Sequence, residues 1–358
     1  MVKKICVLLG DTKLPDPVKY NEKFNPEDFE VIERLKDALS LLENYEFDYF
    51  SNHEILEEKL KEASKTKKYD YFFNLCDEGF QNHLEMEAYI PMLLERHKLL
   101  YTGSATRCLE ICYDKHAVKA IAKSAEIPVS KDILIGEEDE KIRDLPFNFP
   151  AFIKPNYGDG SFAIDKNSPV YNLEQLKKQV EVIRERLKKV RMKADILAEE
   201  YLLGEEITTA IIGNNNELDI RLLQENFGCD IKFNSSDAKW NPNSNEWTLT
   251  HSITPTTSEE IKEKIVKYSR YLFRRLECRD YARFDFRMDK NAPYLLEANP
   301  NCGWCWDGHL VRAFLLGEYS LNSFSLKGYS SVLEKILKTA EKRLLTKNKK
   351  PKGLNITK

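Results

Sequence analysis

The chain has 358 residues, 42% of them hydrophobic and 32% charged, with a formal net charge of −3. Such a composition suits a folded protein of two or three domains and excludes a disordered one. The near balance of charge argues against a general nucleic-acid binder, and no apolar run is long enough to span a membrane.

The N-terminus is basic and then apolar, but its apolar run covers only Ile5 to Leu9 and no small-residue cleavage site follows. Residues 4–9 therefore read as a first β-strand rather than a secretory signal. Asn25 and Pro26 give an N-cap and a first-turn proline for a helix through residue 42. Strands are expected at 46–50 and 69–75, with a charged helix at 54–63 between them. A helix at 84–97 leads to a turn at Thr102-Gly-Ser104. This alternation predicts a parallel sheet with flanking helices and functional loops at strand C-termini. Residues 105–125 have a helical pattern, with Asp114 able to act as an N-cap inside it. A breaker-rich connector at 144–150 precedes a short strand at 151–155 and a glycine-containing loop at 156–161. A long charged helix is expected at 173–193 and a strand at 196–201. From residue 207 strand signals dominate. Residues 227–250 are polar and irregular, carry Lys239, and suit a mobile lid. Helices are expected at 258–276 and 328–345, and residues 347–358 read as a basic frayed tail.

The richest segment runs from Arg283 to Gly303. It reads as two strands joined by a polar turn. Period-2 alternation puts Arg283 and Asp285 on one face of the first strand, and Glu297 and Asn299 on one face of the second. A turn centred near Asn291 would set Asp285 opposite Glu297 and Arg283 opposite Asn299. Opposed like charges destabilise a sheet, and a hard divalent cation with oxygen ligands would remove that penalty. Phe284, Phe286, Leu295, Leu296 and Ala298 make a merely solvated acidic face the poorer reading. Cys302-Gly-Trp-Cys305 resembles a thioredoxin-type redox pair, but it follows the hairpin instead of starting a helix after an N-terminal strand, so packing or pocket lining is expected. The eight cysteines show no framework spacing. They are expected as reduced thiols in the cytoplasm.

Taken in order, these segments resemble the ATP-grasp superfamily, and within it the D-alanine–D-alanine ligase family, from residue 4 to about residue 342. The resemblance rests on Val7-Leu-Leu-Gly10, Tyr101-Thr-Gly-Ser104 with Asp114-Lys115, Ile153-Lys154-Pro155, Glu199 with Gly204-Glu-Glu206, Asp237-Ala-Lys239-Trp240, and the Arg283-Phe-Asp285 and Leu295-Leu-Glu297-Ala-Asn299 pair. It implies an α/β, ATP-grasp fold, with an N-terminal parallel-sheet domain (1–104) and two α+β subdomains (105–204 and 205–345) clamping the nucleotide, before a flexible basic tail (346–358). It implies an ATP-dependent carboxylate–amine ligase that works through an acyl phosphate and releases ADP and phosphate. Lys115 and Lys154 would meet the α- and β-phosphates. Gly158, Gly160 and Ser161 would close over them. Glu199 and the backbone near Leu202 would bind the adenine edge, and Glu206 the ribose. Asp285, Glu297 and Asn299 would hold magnesium, two ions, with manganese as the substitute. Lys239 would reach the γ-phosphate, while Arg283 and the Gly303 N–H would stabilise an oxyanion.

The substrate half departs from that family. The loop Asp11-Thr-Lys-Leu-Pro-Asp-Pro17 has no clear counterpart of the family's ammonium-binding acid. Residues 74–83 and 300–309 also differ from the family's pattern. Substrate contacts are therefore expected from Asp77 or Glu78 to an ammonium and from His83 or His309 to a carboxylate. Trp304 and Trp306 would set pocket size if they face it; otherwise they pack in the core. The expected partners are a small-molecule acid and amine, with no nucleic acid or membrane, and a homodimer is open. Two other classes stay open: a ligase adding an amino acid to a peptide or protein, and a non-catalytic nucleotide-binding regulatory protein. Retention of Lys115, Lys154, Arg283, Asp285, Glu297 and Asn299 argues against the second.

Overall fold

The computed structural model describes residues 2–139, 142, 145–228, 230, 232–290, 292–316 and 324–347. The first sheet is parallel. It contains β1 (Lys3–Leu8), β2 (Tyr45–Phe50) and β3 (Tyr71–Asn74) in the order β2-β1-β3, with α1 (Pro26–Ser40) and α2 (Leu56–Thr66) as crossovers. The Asn25 side chain accepts from the backbone N–H groups of Glu27 and Asp28, and the Asp28 carboxylate accepts from the Asn25 N–H, a reciprocal cap that fixes the start of α1.

The helix expected at 84–97 is shorter: α3 covers Tyr89–Arg96. Gln81 and Asn82 take left-handed backbone angles. The Asn82 amide exchanges hydrogen bonds with the backbone of Asp11, accepting from its N–H at 2.9 Å and donating to its carbonyl at 2.7 Å. A long-range tether thus overrides the local helical pattern.

The stretch 105–125 is two helices, α4 (Thr106–Tyr113) and α5 (Lys115–Ser124). They break at Asp114, whose side chain caps Ala117 N–H at 2.9 Å. A second sheet is antiparallel, with β4 (Asp132–Ile135), β5 (Ala151–Pro155), β6 (Pro169–Val170) and β7 (Ile196–Glu200) in the order β4-β7-β5-β6. Between β6 and β7, α6 (Leu173–Lys189) buries Leu176, Val180, Ile183 and Leu187, a helical stripe, and leaves its charges to solvent.

The third sheet holds β8 (Glu206–Asn214), β9 (Glu217–Phe227), β10 (Thr250–Ile253), β11 (Asp280–Asp289) and β12 (Ala292–Asn299), antiparallel in the order β10-β9-β8-β11-β12. The segment expected to be irregular between β9 and β10 contains two short helices, α7 (Ser236–Trp240) and α8 (Asn245–Leu249), capped by Ser235 and Ser244. Ahead of β11 lies α9 (Glu259–Arg275), and after β12 come α10 (His309–Leu315) and α11 (Leu326–Lys347). One core joins the first sheet to α1, α10 and α11, and another packs α4, α5 and α9 against the third sheet. Asp280, fully buried, fastens these parts: it accepts from the Gly103 N–H, the Asn214 amide and the Arg343 guanidinium. No helix among the described residues is long and apolar enough to cross a membrane. Asn291, the expected centre of the hairpin turn, and residues 348–358 of the expected tail lie outside the described residues.

Candidate active site

The hairpin β11–β12 has the register that side-chain alternation demanded: Asp285 faces Glu297 and Arg283 faces Asn299. Nearer the turn, Phe286 faces Leu295, so Leu296 is an extra residue bulged out of the ladder. The bulge turns Leu296 into the cleft. Arg283 lies 3.0 Å from Asp285 and 3.7 Å from Glu297. The Asn299 amide lies 3.1 Å from Asp285 and 3.3 Å from Glu297. From β8, the Thr208 hydroxyl donates to Asp285 at 2.7 Å. Burial would push the Glu297 carboxyl up, yet Lys115, Lys239 and Arg283 together hold it well below the carboxylate range. A hard-oxygen donor set held ionised among cations fits a divalent metal bound with an anionic ligand. Asp285, Glu297 and Asn299 would hold it.

Opposite the hairpin lies a row of cations. Lys115, the first residue of α5, is buried and donates to the Gly158 carbonyl. Burial lowers its pKa, Glu297 opposes, and Lys154 adds to the lowering. Lys154, on β5, pairs with Glu199 of β7 at 2.6 Å. Glu199 also receives Lys119 at 2.6 Å and the Ser130 hydroxyl at 2.9 Å. Burial would raise the Glu199 carboxyl, but the two lysines hold it at about 2. Lys239 reaches the same cleft from α7.

The cleft is concave, open on one side to solvent, and lined by apolar side chains with a few converging charged groups, as small-molecule sites are. Its inner end is aromatic: Phe152 stacks on Tyr201 at 5.5 Å and meets Phe233 edge-on at 5.0 Å. Leu202 and Leu296 complete this apolar wall. Glu206 sits beside it, accepting from Asn234 at 2.9 Å and Arg287 at 3.1 Å. Gly158 and Gly160 have positive φ, which lets the loop between β5 and β6 fold closely over the cleft. The Trp240 indole donates to the Gly160 carbonyl at 2.8 Å, so α7 rests on that loop. A flat apolar slot beside converging cations and acids matches a nucleotide with its phosphates and metal.

The sequence profile of the D-ala D-ala ligase C-terminus family matches residues 121–307, more than half of the chain. The chain belongs to this family. It is an ATP-grasp, D-Ala-D-Ala ligase-like protein, and its class is that of an ATP-dependent ligase. Among curated relatives, it is 28% identical over 278 residues to the uncharacterized protein y4sG of Sinorhizobium fredii, covering 76% of this chain and 74% of that one. It is also 28% identical over 219 residues to the D-alanine–D-alanine ligase of Carboxydothermus hydrogenoformans, covering 59% of this chain and 65% of that enzyme. The D-alanine–D-alanine ligase of Bacillus anthracis, solved in complex with ATP, superposes with a TM-score of 0.67 over 97% of this chain and all of that one, at 20% identity. At that identity the superposition speaks for the ATP-grasp fold.

Within this ATP-grasp fold, Lys115, Lys154, Gly158, Ser161, Glu199, Leu202, Glu206, Lys239, Arg283, Asp285, Glu297 and His309 all line one cleft. Asn299 opens on an adjoining cavity with Glu87, Tyr113, Asp159 and Asn301. Gly160 lies in the loop over the cleft, against Val18 and Trp240. Gly303 sits beside Asp77 and is not among the residues lining either cavity.

The expected substrate segments do meet, but several side chains are committed elsewhere. Trp304 is buried in the core and donates to Asp77 at 3.2 Å. Trp306 packs under Arg34 of α1 and edge-on to Phe324, outside both cavities, and does not set pocket size. Burial, with Glu78 adding, holds the Asp77 carboxyl well above the carboxylate range, which makes it a poor anchor for an ammonium. The Glu78 carboxyl lies against Gly10, where any Cβ would collide with it at 2.5 Å, and 4.0 Å from Lys19. His83 lies on a turn and accepts from the Glu85 N–H at 3.3 Å, outside both cavities. His309 lies between Arg283, 3.4 Å from Nδ1, and Glu225, 3.0 Å from Nε2. It buttresses Arg283 and lines the nucleotide side of the cleft.

Sequence reasoning missed Lys119, Asp159, Glu225, Phe233 and Arg287. Lys119 was within reach, since it lies one helical turn after Lys115. Arg287 was too, since it continues the Arg283–Asp285 face at period 2. Glu225 and Phe233 carry no local signal, because their partners come from distant elements.

Proposed function

We propose that the protein joins a carboxylic acid to an amine, activating the acid as an acyl phosphate at the expense of ATP and releasing ADP and phosphate. The observation that supports this reading is the convergence of Lys115, Lys154, Lys239 and Arg283 with Asp285 and Glu297 in one cleft. Lys115, Lys154 and Lys239 would surround the phosphates, Arg283 would face the reacting acyl group, and Asp285, Glu297 and Asn299 would hold magnesium, two ions, with manganese as a substitute. The metal would neutralise phosphate charge. Phe152, Tyr201, Phe233 and the backbone near Leu202 would sandwich the base, with Glu199 accepting from its amino edge and Glu206 from the ribose.

The chemistry falls to a few side chains. The carboxylate oxygen of the acid takes the terminal phosphoryl group, whose charge Lys239 and the Gly158–Ser161 loop would offset. The amine then attacks the acyl carbon. The oxyanion so formed needs donors fixed in advance, and Arg283, pinned by Asp285 and His309, offers them. Collapse expels phosphate and leaves the amide. The substrates are proposed to be small molecules. Seven free thiols among the described residues suit a reducing cytoplasm.

The test is release of ADP and phosphate by the purified protein across a panel of amino acids, dipeptides and peptide acceptors. ¹⁸O from a labelled carboxylate should appear in the phosphate. Products of AMP and pyrophosphate would exclude the acyl phosphate. Ordinary D-alanyl-D-alanine synthesis would mean that the substrate half is not rewritten, and turnover only with peptide or protein acceptors would move the reading to a peptide-modifying ligase.

A further inference from the structure

A cluster of thiols lies away from the cleft's chemistry. Cys108 and Cys112 are one turn apart on α4, and Cys278 follows α9 at the entry to β11. All three are buried, and their sulfur atoms lie within 4.8 Å of one another. The sulfurs of Cys108 and Cys278 are 3.7 Å apart. With metal–sulfur bonds of about 2.3 Å, two thiolates on one ion sit about 3.8 Å apart in a tetrahedron and about 4.0 Å apart in a triangle. The cluster therefore already has the span of a three-thiolate coordination shell.

Three further facts point the same way. The left-handed turn at Glu277 (φ 60°) carries the chain back so that Cys278 faces α4. Arg279 follows directly; its guanidinium donates to the Tyr101 hydroxyl at 2.7 Å, and among the described residues its buried Nε has no hydrogen-bond partner. A guanidinium beside the cluster would offset part of the charge of three thiolates. Cys112 also lines the small cavity that contains Glu297 and Asn299, so one side of the cluster borders a cavity.

We propose that Cys108, Cys112 and Cys278 bind a thiophilic d¹⁰ cation, zinc(II) or copper(I), that clamps α4 to the start of β11. Binding replaces thiol protons by the metal, so up to three protons leave for each ion bound. No electron transfer is involved. Three soft sulfur ligands and no carboxylate disfavour magnesium or calcium here.

The test uses the full-length protein, reduced and freed of metal. Zinc(II) is titrated against a chromophoric chelator, and copper(I) separately against a copper(I)-specific one. One equivalent of either ion, protons released into weak buffer, and a rise in melting temperature are expected. Cys108→Ser, Cys112→Ser and Cys278→Ser should each weaken binding by roughly a hundredfold or more, since even outer-sphere changes cost 10–100-fold. Cys6→Ser, on the first sheet, should not. If wild-type protein binds neither ion stoichiometrically, or binds one that all three variants retain, the cluster is core packing only. The wild-type result decides this even if a variant fails to fold.

Discussion

Glu199 has to hold two lysines at once. Both of its oxygens are engaged, by Lys154 on one side and by Lys119 and Ser130 on the other. Replacing it with glutamine would leave Lys154 without an anion among the described residues and Lys119 with only Asp132, 3.4 Å away, a loss of about 3–5 kcal/mol in unfolding free energy by denaturant titration. The same contact has a pH signature. Folded, this carboxyl titrates at about 2; unfolded, at its ordinary 4.5. Its stabilisation is therefore complete above pH 4.5 and lost as pH falls toward 2. Glu199→Gln should flatten the acid limb of the stability curve over that window. Glu297→Gln should instead spare stability and cut magnesium-dependent ATP turnover by on the order of a hundredfold, because it removes a charged ligand where outer-sphere changes alone cost 10–100-fold. Unchanged turnover at ordinary magnesium would refute that role. Arg283→Ala should lower turnover by on the order of 10²–10³ while nucleotide binding, read by calorimetry, changes far less.

At the scale of elements, the segment from β9 to β10 meets the glycine loop through the Trp240 indole and through the Ser236 N–H, which donates to the Ile164 carbonyl at 2.9 Å, with Trp240 also packed under Lys19. Its two short helices bury none of their residues, which suits a lid that opens and closes. ATP with substrate should protect residues 228–250 from proteolysis, and equal cleavage with and without ligands would argue against a lid. The bulge at Leu296 makes a second, sharper prediction. Deleting Leu296 restores a regular ladder in which Asp285 still faces Glu297, yet it removes part of the apolar wall. Divalent-cation affinity should survive and nucleotide affinity should fall. These elements also show where sequence reasoning reached and where it stopped. The register of Asp285 and Glu297 was legible because period 2 is geometry, whatever the turn does. The bulge was not, since the pairing came out right even though Asp289 faces Ala292, a register half a residue short of a hairpin centred on Asn291. The first sheet and α1 were legible from alternation and from the N-cap and first-turn proline at Asn25 and Pro26. The start of α3 was not, because Asn82 is held by Asp11 across 71 residues. Trp304 and Trp306 were ambiguous for a related reason: aromatic residues near a metal motif look alike whether they face a cleft or a core.

For the molecule as a whole, the contact that matters most is the one at Asp280. It gathers the turn after the first sheet, the end of β8, and Arg343 of α11 onto one buried carboxylate. Arg343→Ala should destabilise the protein by about 3–5 kcal/mol, measured by denaturant unfolding, because the carboxylate loses its only cationic partner among the described residues. The contact also has a consequence in time. Arg343 is translated 63 residues after Asp280. At ribosomal rates of about 5–20 residues per second, that is a gap of roughly 3–13 s. Throughout it the Asp280 carboxylate has no counterion, and once Asn299 has been added every strand of the third sheet exists as chain around it. Closing the sheet around Asp280 then would strand an anion in the core, so the carboxylate is better left in water until α11 emerges. The part of the sheet that carries the acidic hairpin would accordingly be among the last to seal on a nascent chain, and the helix that completes it contributes nothing to the cleft itself.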